Sequence, residues 1–190
     1  VKVAVLDTGI DTSHPDLKEN LYLAKDAING FSNLTKDRWH HGTHVSGILA
    51  ATTNNSKGVA GVANNNIDLI VVNVFQGKGS DVAAFTSDIV AGYKYAVEKG
   101  AKVINMSLGR LVDDNFYDSE DKKLDRLLEN AINDAADKGV VTVCAAGNEN
   151  STMKFYPADF DACISVINID KNDQKAFDSN YGTKKDISAY

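Results

Sequence analysis

His40-His41-Gly42-Thr43-His44-Val45-Ser46-Gly47, read together with Val3-Ala4-Val5-Leu6-Asp7-Thr8-Gly9 earlier in the chain, decides how the rest of the sequence is organised. An apolar run ending in Asp-Thr-Gly has the character of a buried strand that delivers a carboxylate to its C-terminal end, where α/β sheets build their ligand clefts. Gly42 removes a side chain beside His41, as expected where a backbone must come close to another part of the chain. Thr43 can cap a helix whose apolar positions are Val45, Ile48 and Leu49. His41 then stands at a helix N-terminus facing a cleft. An imidazole and a buried carboxylate are two parts of an activated nucleophile: the ring takes a hydroxyl proton, and the carboxylate fixes the tautomer and stabilises the cation.

Both motifs resemble the subtilisin family of serine peptidases, whose Asp-Thr-Gly and His-Gly-Thr-His-Val segments carry the triad's aspartate and histidine. The resemblance implies those roles for Asp7 and His41, and three further segments extend it. The strand-like Val103-Ile104-Asn105-Met106-Ser107-Leu108-Gly109 is similar to the segment lining one side of the pocket for the residue before the scissile bond, which implies Ser107, Leu108 and Gly109 there. At 140–149 a strand-like run passes into Ala146-Gly147-Asn148, and the family's equivalent asparagine donates its side-chain N–H to the oxyanion, worth roughly 2.7–4 kcal/mol in subtilisin. Asn148 takes that role by resemblance, with Ala146 and Gly147 on the other pocket wall. The stretch 76–81 is similar to the family's extended edge, where peptide substrate pairs as an added strand, and Gly79 and Ser80 carry over.

Composition agrees with a folded enzyme and excludes other classes. The 190 residues are 43% hydrophobic, enough for a sizeable core, and 26 acidic against 20 basic side chains give a net charge of -6 without a basic stripe for nucleic acid. The longest apolar runs, such as 67–75, are too short to span a bilayer. Cys144 and Cys163 each sit in an apolar run and read as free buried cysteines, which leaves the redox compartment open.

Alternation of strand-like runs near 2–7, 67–75, 102–107, 140–146 and 163–169 with helical patterns predicts an α/β fold: a doubly wound, mainly parallel sheet with helices on both faces. By resemblance it is a single subtilisin-like domain over 1–190, incomplete at both ends and lacking its C-terminal part. Residues 18–38 give no element that can be placed. The stretch 110–121 is acidic and longer than the short connection the family would have here.

The nucleophile is missing from this sequence. The family supplies it from a Gly-Thr-Ser-x-Ala segment, and none occurs; Ser151, Ser165, Ser179 and Ser188 lack the flanking residues. The 190 residues alone are therefore expected to be inactive, as part of a serine endopeptidase whose serine lies downstream. A catalytically silent peptide-binding relative is the alternative. A metal hydrolase using Asp7, His40, His41 and His44 is remote, since the helical Glu of His-Glu-x-x-His is absent and Gly42 interrupts the helix.

No cofactor is expected for catalysis. In subtilisins a loop like 52–58, with the aspartate of a His-Pro-Asp-Leu segment, holds a structural calcium, so Asp16 and Asn55 are candidate ligands; a plain capping and turn role serves equally well. Expected partners are a peptide or protein substrate and the protein's own pro-segment, with no nucleic acid and no membrane span. Secretion or cell-surface location is implied by the family alone. Backbone-lined walls with Leu108 and Ala146 suggest a medium or large apolar residue before the cut bond. Activity is expected to fall as His41 protonates, near an ordinary histidine pKa of about 6.5.

Overall fold

A computed structural model describes all 190 residues, and its contacts divide the chain into two compact units, Val1–Asn105 and Met106–Tyr190. In the first, β1 (Lys2–Asp7) is flanked by parallel β4 (Asp68–Asn73) on one side and by parallel β7 (Val103–Met106, paired at 103–105) on the other. Val3 to Asp7 and Leu69 to Asn73 are all buried, as parallel strands covered on both faces require. Each buried Val, Leu or Ile among them contributes roughly 1.5–3 kcal/mol by leaving water.

β2 (Leu21–Asp26) adds a parallel edge beside β4, with the two-residue β3 (Ser32–Asn33) antiparallel outside it. Residues 18–38, where no element could be placed, thus include this edge. Its residues are half-exposed and its register shifts between Leu21 and Leu23, so it carries neither clean alternation nor an apolar run.

α1 (His41–Ala50) packs on β1, and Ala50 and Ala51 join Val5, Ile10, Leu17, Leu69 and Val71 in one buried cluster. The apolar run expected at 67–75 ends as β4 at Asn73. Phe75 opens β5 (Phe75–Lys78), which folds back antiparallel onto β6 (Asp81–Ala84). α2 (Thr86–Glu98) follows, and Gly100 at φ 89 stops it as expected.

The second unit contains β8 (Arg110–Val112), α3 (Ser119–Ala136), β9 (Val141–Ala145), β10 (Lys154–Tyr156), β11 (Cys163–Asn168) and β12 (Ile187–Ala189). β9, β11 and β12 run parallel in that order, while β8 and β10 form a separate antiparallel pair. The acidic stretch after Arg110 therefore contains a strand, and then α3, whose first turn is capped by the Asp118 side chain accepting the Asp121 N–H at 2.9 Å. Cys144 and Cys163 are free and buried on neighbouring strands, and contact with Cys163 together with burial pushes the Cys144 thiol well up. The mainly parallel α/β class is as the sequence predicts, and no helix is long and apolar enough to cross a membrane.

Candidate active site

Each unit carries candidate residues at the C-terminal end of a strand, β1 in the first and β9 in the second. At the end of β1, Asp7 is wholly buried, and its Oδ1 lies 2.7 Å from His41 Nδ1 and accepts the Thr8 N–H, also at 2.7 Å. Asp7 Oδ2 is buried with no donor, so the carboxylate acts through the one oxygen facing the ring. The His41 side chain is 52% exposed, which leaves its other face open to a reacting group. The Asp7 hydrogen bond, against burial and with help from the charges of Asp7 and Asp37, raises the His41 pKa above 6.5. The expectation of an ordinary histidine value is corrected upward.

Gly42 is what lets this pair form. A Cβ there would come within 2.2 Å of the Gly9 carbonyl oxygen and 3.1 Å of the Asp7 Cβ, so no side chain fits between α1 and the end of β1. The helix runs through Gly42 rather than being interrupted by it. Its cap also differs from expectation: His40, with φ 64, occupies the N-cap without a side-chain bond, and Thr43 is not the cap.

Asp37 does the capping instead. Only 5% exposed, it accepts the N–H groups of Trp39, His40 and Thr43 and the hydroxyls of Thr8 and Thr43, at 2.8–3.1 Å. Burial pushes its carboxyl up, but these bonds outweigh it and leave the pKa below 3.8. Sequence reasoning missed Asp37, although an acidic residue shortly before an expected helix start was a usable signal.

At the end of β9, Asn148 is exposed, and no hydrogen bond within the protein engages its side-chain amide. Its backbone N–H is held by Glu149 Oε2 at 2.9 Å. Asn180, wholly buried, clamps this turn: its Nδ2 donates to the Ala146 carbonyl and to Glu149 Oε2, and its Oδ1 accepts the Glu149 and Ser151 N–H groups. Nothing local to position 180 announces that role. Ser107, Leu108 and Gly109 follow β7, and Ala146 and Gly147 follow β9.

Gly79 and Ser80 depart from expectation. They are exposed at the tip of the β5–β6 hairpin, Gly79 at φ 58, and not in an extended edge strand. Within β5, Gly77 allows the close approach of β6, since a Cβ there would lie 1.8 Å from the Asp81 carbonyl oxygen.

Asp16 and Asn55 do meet. Asn55 Nδ2 donates to Asp16 Oδ1 at 2.6 Å, and Val59 N–H donates to Oδ2 at 3.0 Å, which together hold the carboxyl below its usual range. His40 and His44 do not converge with other ligands: no group of three His, Cys, Asp or Glu side chains could hold a metal ion, and His41 Nδ1 already faces Asp7.

Comparison with known proteins gives the family. The subtilase family model matches residues 1–190. A thermophilic serine proteinase of Bacillus sp. (strain AK1) is 41% identical over 189 residues, covering 99% of this chain and 43% of that protein. Thermitase of Thermoactinomyces vulgaris is 38% identical over 188 residues, covering 99% and 62%. Among solved structures, an epidermin leader peptide processing serine protease from Staphylococcus aureus superposes with a TM-score of 0.85 at 29% identity, covering 100% of this chain and 51% of that one. The chain thus spans between two fifths and two thirds of the length of these relatives, and it belongs to the subtilase family.

Proposed function

We propose that these 190 residues are part of a secreted serine endopeptidase domain that hydrolyses peptide bonds through an acyl-enzyme. The observation that carries this reading is the 2.7 Å contact between His41 Nδ1 and a buried Asp7 whose other partner is a backbone N–H. That arrangement leaves the far ring nitrogen to take a proton from a serine hydroxyl and return it to the leaving amine. Asp7 orients the ring and stabilises its cation. The free Asn148 amide is suited to donate to the oxyanion. The attacking serine lies outside these residues, so the 190 residues by themselves are inactive. Substrate is a peptide or protein, and a pro-segment of the same protein is a further expected ligand.

Labelling of the full-length gene product with a fluorophosphonate tests this. An adduct on a serine beyond Tyr190, lost in His41→Ala, is the expected result. A folded full-length product that takes no label overturns the peptidase reading in favour of a silent peptide-binding relative.

A structural calcium ion belongs to the same proposal. Asp16 is 2% exposed and has no cationic side chain in ion-pair contact, an expensive state for a carboxylate unless its oxygens are well served. A half-turn of the Asn55 amide would set its oxygen against the Asp16 carboxylate, an arrangement that a cation between them reconciles. Gly58 keeps that side of the carboxylate clear, since a Cβ there would lie 2.1 Å from Oδ2. Asp16, Asn55 and neighbouring backbone carbonyls would hold the ion, which ties the 52–59 loop to the core and takes no part in the chemistry. Calcium is expected to raise the melting temperature by about 5 °C over chelator, and Asp16→Asn to abolish the difference. Equal melting temperatures with and without calcium in the parent protein refute it.

A further inference from the structure

The second unit holds a side chain where the expected pocket should be open. Gly109 and Gly147 belong to the two segments assigned as walls for the substrate residue before the scissile bond. Glycine on both walls is what a slot needs if something flat is to lie between two backbones. In this chain the flat object is already present. A Cβ added at Gly109 would meet Phe155 Cε1 at 2.3 Å, and one added at Gly147 would meet Phe155 Cε2 at 2.6 Å. The opposite edges of one phenyl ring thus reach both glycines, and Phe155 is only 5% exposed.

The ring is held there by structure that the lengthened 110–121 stretch supplies. β8 pairs antiparallel with β10 and sets Phe155 opposite Leu111. Both backbone groups of Phe155 are tied to Asp159: its N–H donates to Asp159 Oδ2 at 2.9 Å, and its carbonyl accepts the Asp159 N–H at 2.9 Å. Lys185 pairs with the other Asp159 oxygen, and both side chains of that pair are almost completely buried. Phe155 is thereby fixed by its own strand, by a neutralised carboxylate and by the glycines it touches.

We propose that Phe155 fills the pocket for the residue before the scissile bond and restricts this protein to small side chains there: glycine, alanine or serine. This rests on the peptidase reading for its catalytic consequence, and on the slot geometry alone for its binding consequence. It reverses the expectation of a medium or large apolar residue, which followed from wall residues without knowledge of what lies between them. A substrate phenylalanine or leucine would have to displace a ring that is packed on both faces of the slot. A methyl group needs only the mouth.

Two measurements on the full-length protein test it. The first is kcat/KM for p-nitroanilides of Ala-Ala-Pro-X with X as Gly, Ala, Leu or Phe, in the parent protein and in Phe155→Gly. The parent is expected to prefer Ala over Phe by about thirtyfold or more, and Phe155→Gly to shift that ratio at least about tenfold toward Phe, within the range that a few methylenes in an apolar pocket can discriminate. The second is the affinity of N-acetylated peptide acids ending in Ala or Phe, which needs no catalysis and no variant. Tighter binding of the Ala peptide supports the proposal even if the fluorophosphonate finds no serine, a result that would sink the peptidase reading alone. A parent protein that accepts Phe as well as Ala, in rate or in affinity, or that binds neither peptide, overturns the proposal.

Discussion

Asp7→Asn is expected to lower kcat of the full-length protein about 10⁴-fold with little change in KM, because the substitution removes orientation and charge but no substrate contact. The geometry gives the reason. Asp7 Oδ1 accepts the Thr8 N–H and faces His41 Nδ1, both at 2.7 Å, and Oδ2 has no donor. An amide can still accept from Thr8 through its oxygen. That same oxygen would also face His41 Nδ1, so the productive tautomer can survive, but a neutral amide no longer stabilises the imidazolium that forms. With the nitrogen turned to that position instead, the Thr8 bond is lost and the ring must present a bare nitrogen, which puts its proton on the nitrogen that should receive the serine's. A drop of tenfold or less would mean that Asp7 neither stabilises the cation nor sets the tautomer.

The same variant has a signature in pH. If the ring acts as the proposed base it must be neutral, and the Asp7 bond raises the His41 pKa, so the acid limb of kcat/KM is expected above 6.5 in the parent protein. Without that carboxylate the favourable hydrogen bond and most of the favourable charge are gone, while the penalty of burial remains. The limb in Asp7→Asn should therefore move down, toward or below 6.5. The sign for stability follows from the same shift. A folded pKa above the unfolded one stabilises below about pH 6.5 and loses that contribution as pH rises through the folded value. The ring is half exposed, so this stability effect is screened and small. Titration of the His41 ring by NMR reads the shift directly, and equal midpoints in parent and variant would contradict it.

What the sequence makes legible here is whatever depends on local pattern. The buried strands β1, β4, β7, β9 and β11 are continuous or alternating apolar runs, and the site motifs sit where those runs end. Gly42 could be assigned a close approach because a glycine beside a reactive histidine has few other uses, and the structure puts the Gly9 carbonyl there. The edge formed by β2 and β3 is not legible, since half-exposed strands need no periodicity. Gly79 and Ser80 lie in a hairpin turn after β5, because the chain folds back there through pairing with Asp81–Ala84. Phe155 and Asn180 are the clearest losses. Both act on residues that are near in space and distant in sequence, Phe155 on Gly109 and Asn180 on Ala146 and Glu149. An isolated phenylalanine or asparagine carries no mark of such a partner.

Asp37→Ala tests the residue that local pattern could have shown and did not. The variant strips five hydrogen bonds from one buried carboxylate, and four of the five donors belong to the turn and first residues of α1 that carry His41. The fifth, the Thr8 hydroxyl, also accepts the Gly42 N–H at 2.9 Å, so the clasp binds the strand bearing Asp7 to the helix bearing His41. Donors left without a partner cost more than the net worth of the bonds they made, and a carboxylate at a helix N-terminus adds a favourable dipole term. A loss of about 3–4 kcal/mol is expected in urea titration, seen as a lower midpoint at unchanged slope. Asp37→Asn keeps one acceptor oxygen and should lose about half as much. The pH dependence distinguishes charge from shape. The folded pKa of Asp37 lies below 3.8, so its contribution is fully present above the unfolded value and is lost as pH falls through the folded one. Parent and Asp37→Asn should therefore converge in stability toward pH 3 and separate above pH 5. A constant gap across that range would show that Asp37 acts through its shape and not its charge, and a variant as stable as the parent would remove it from the scaffold of the site.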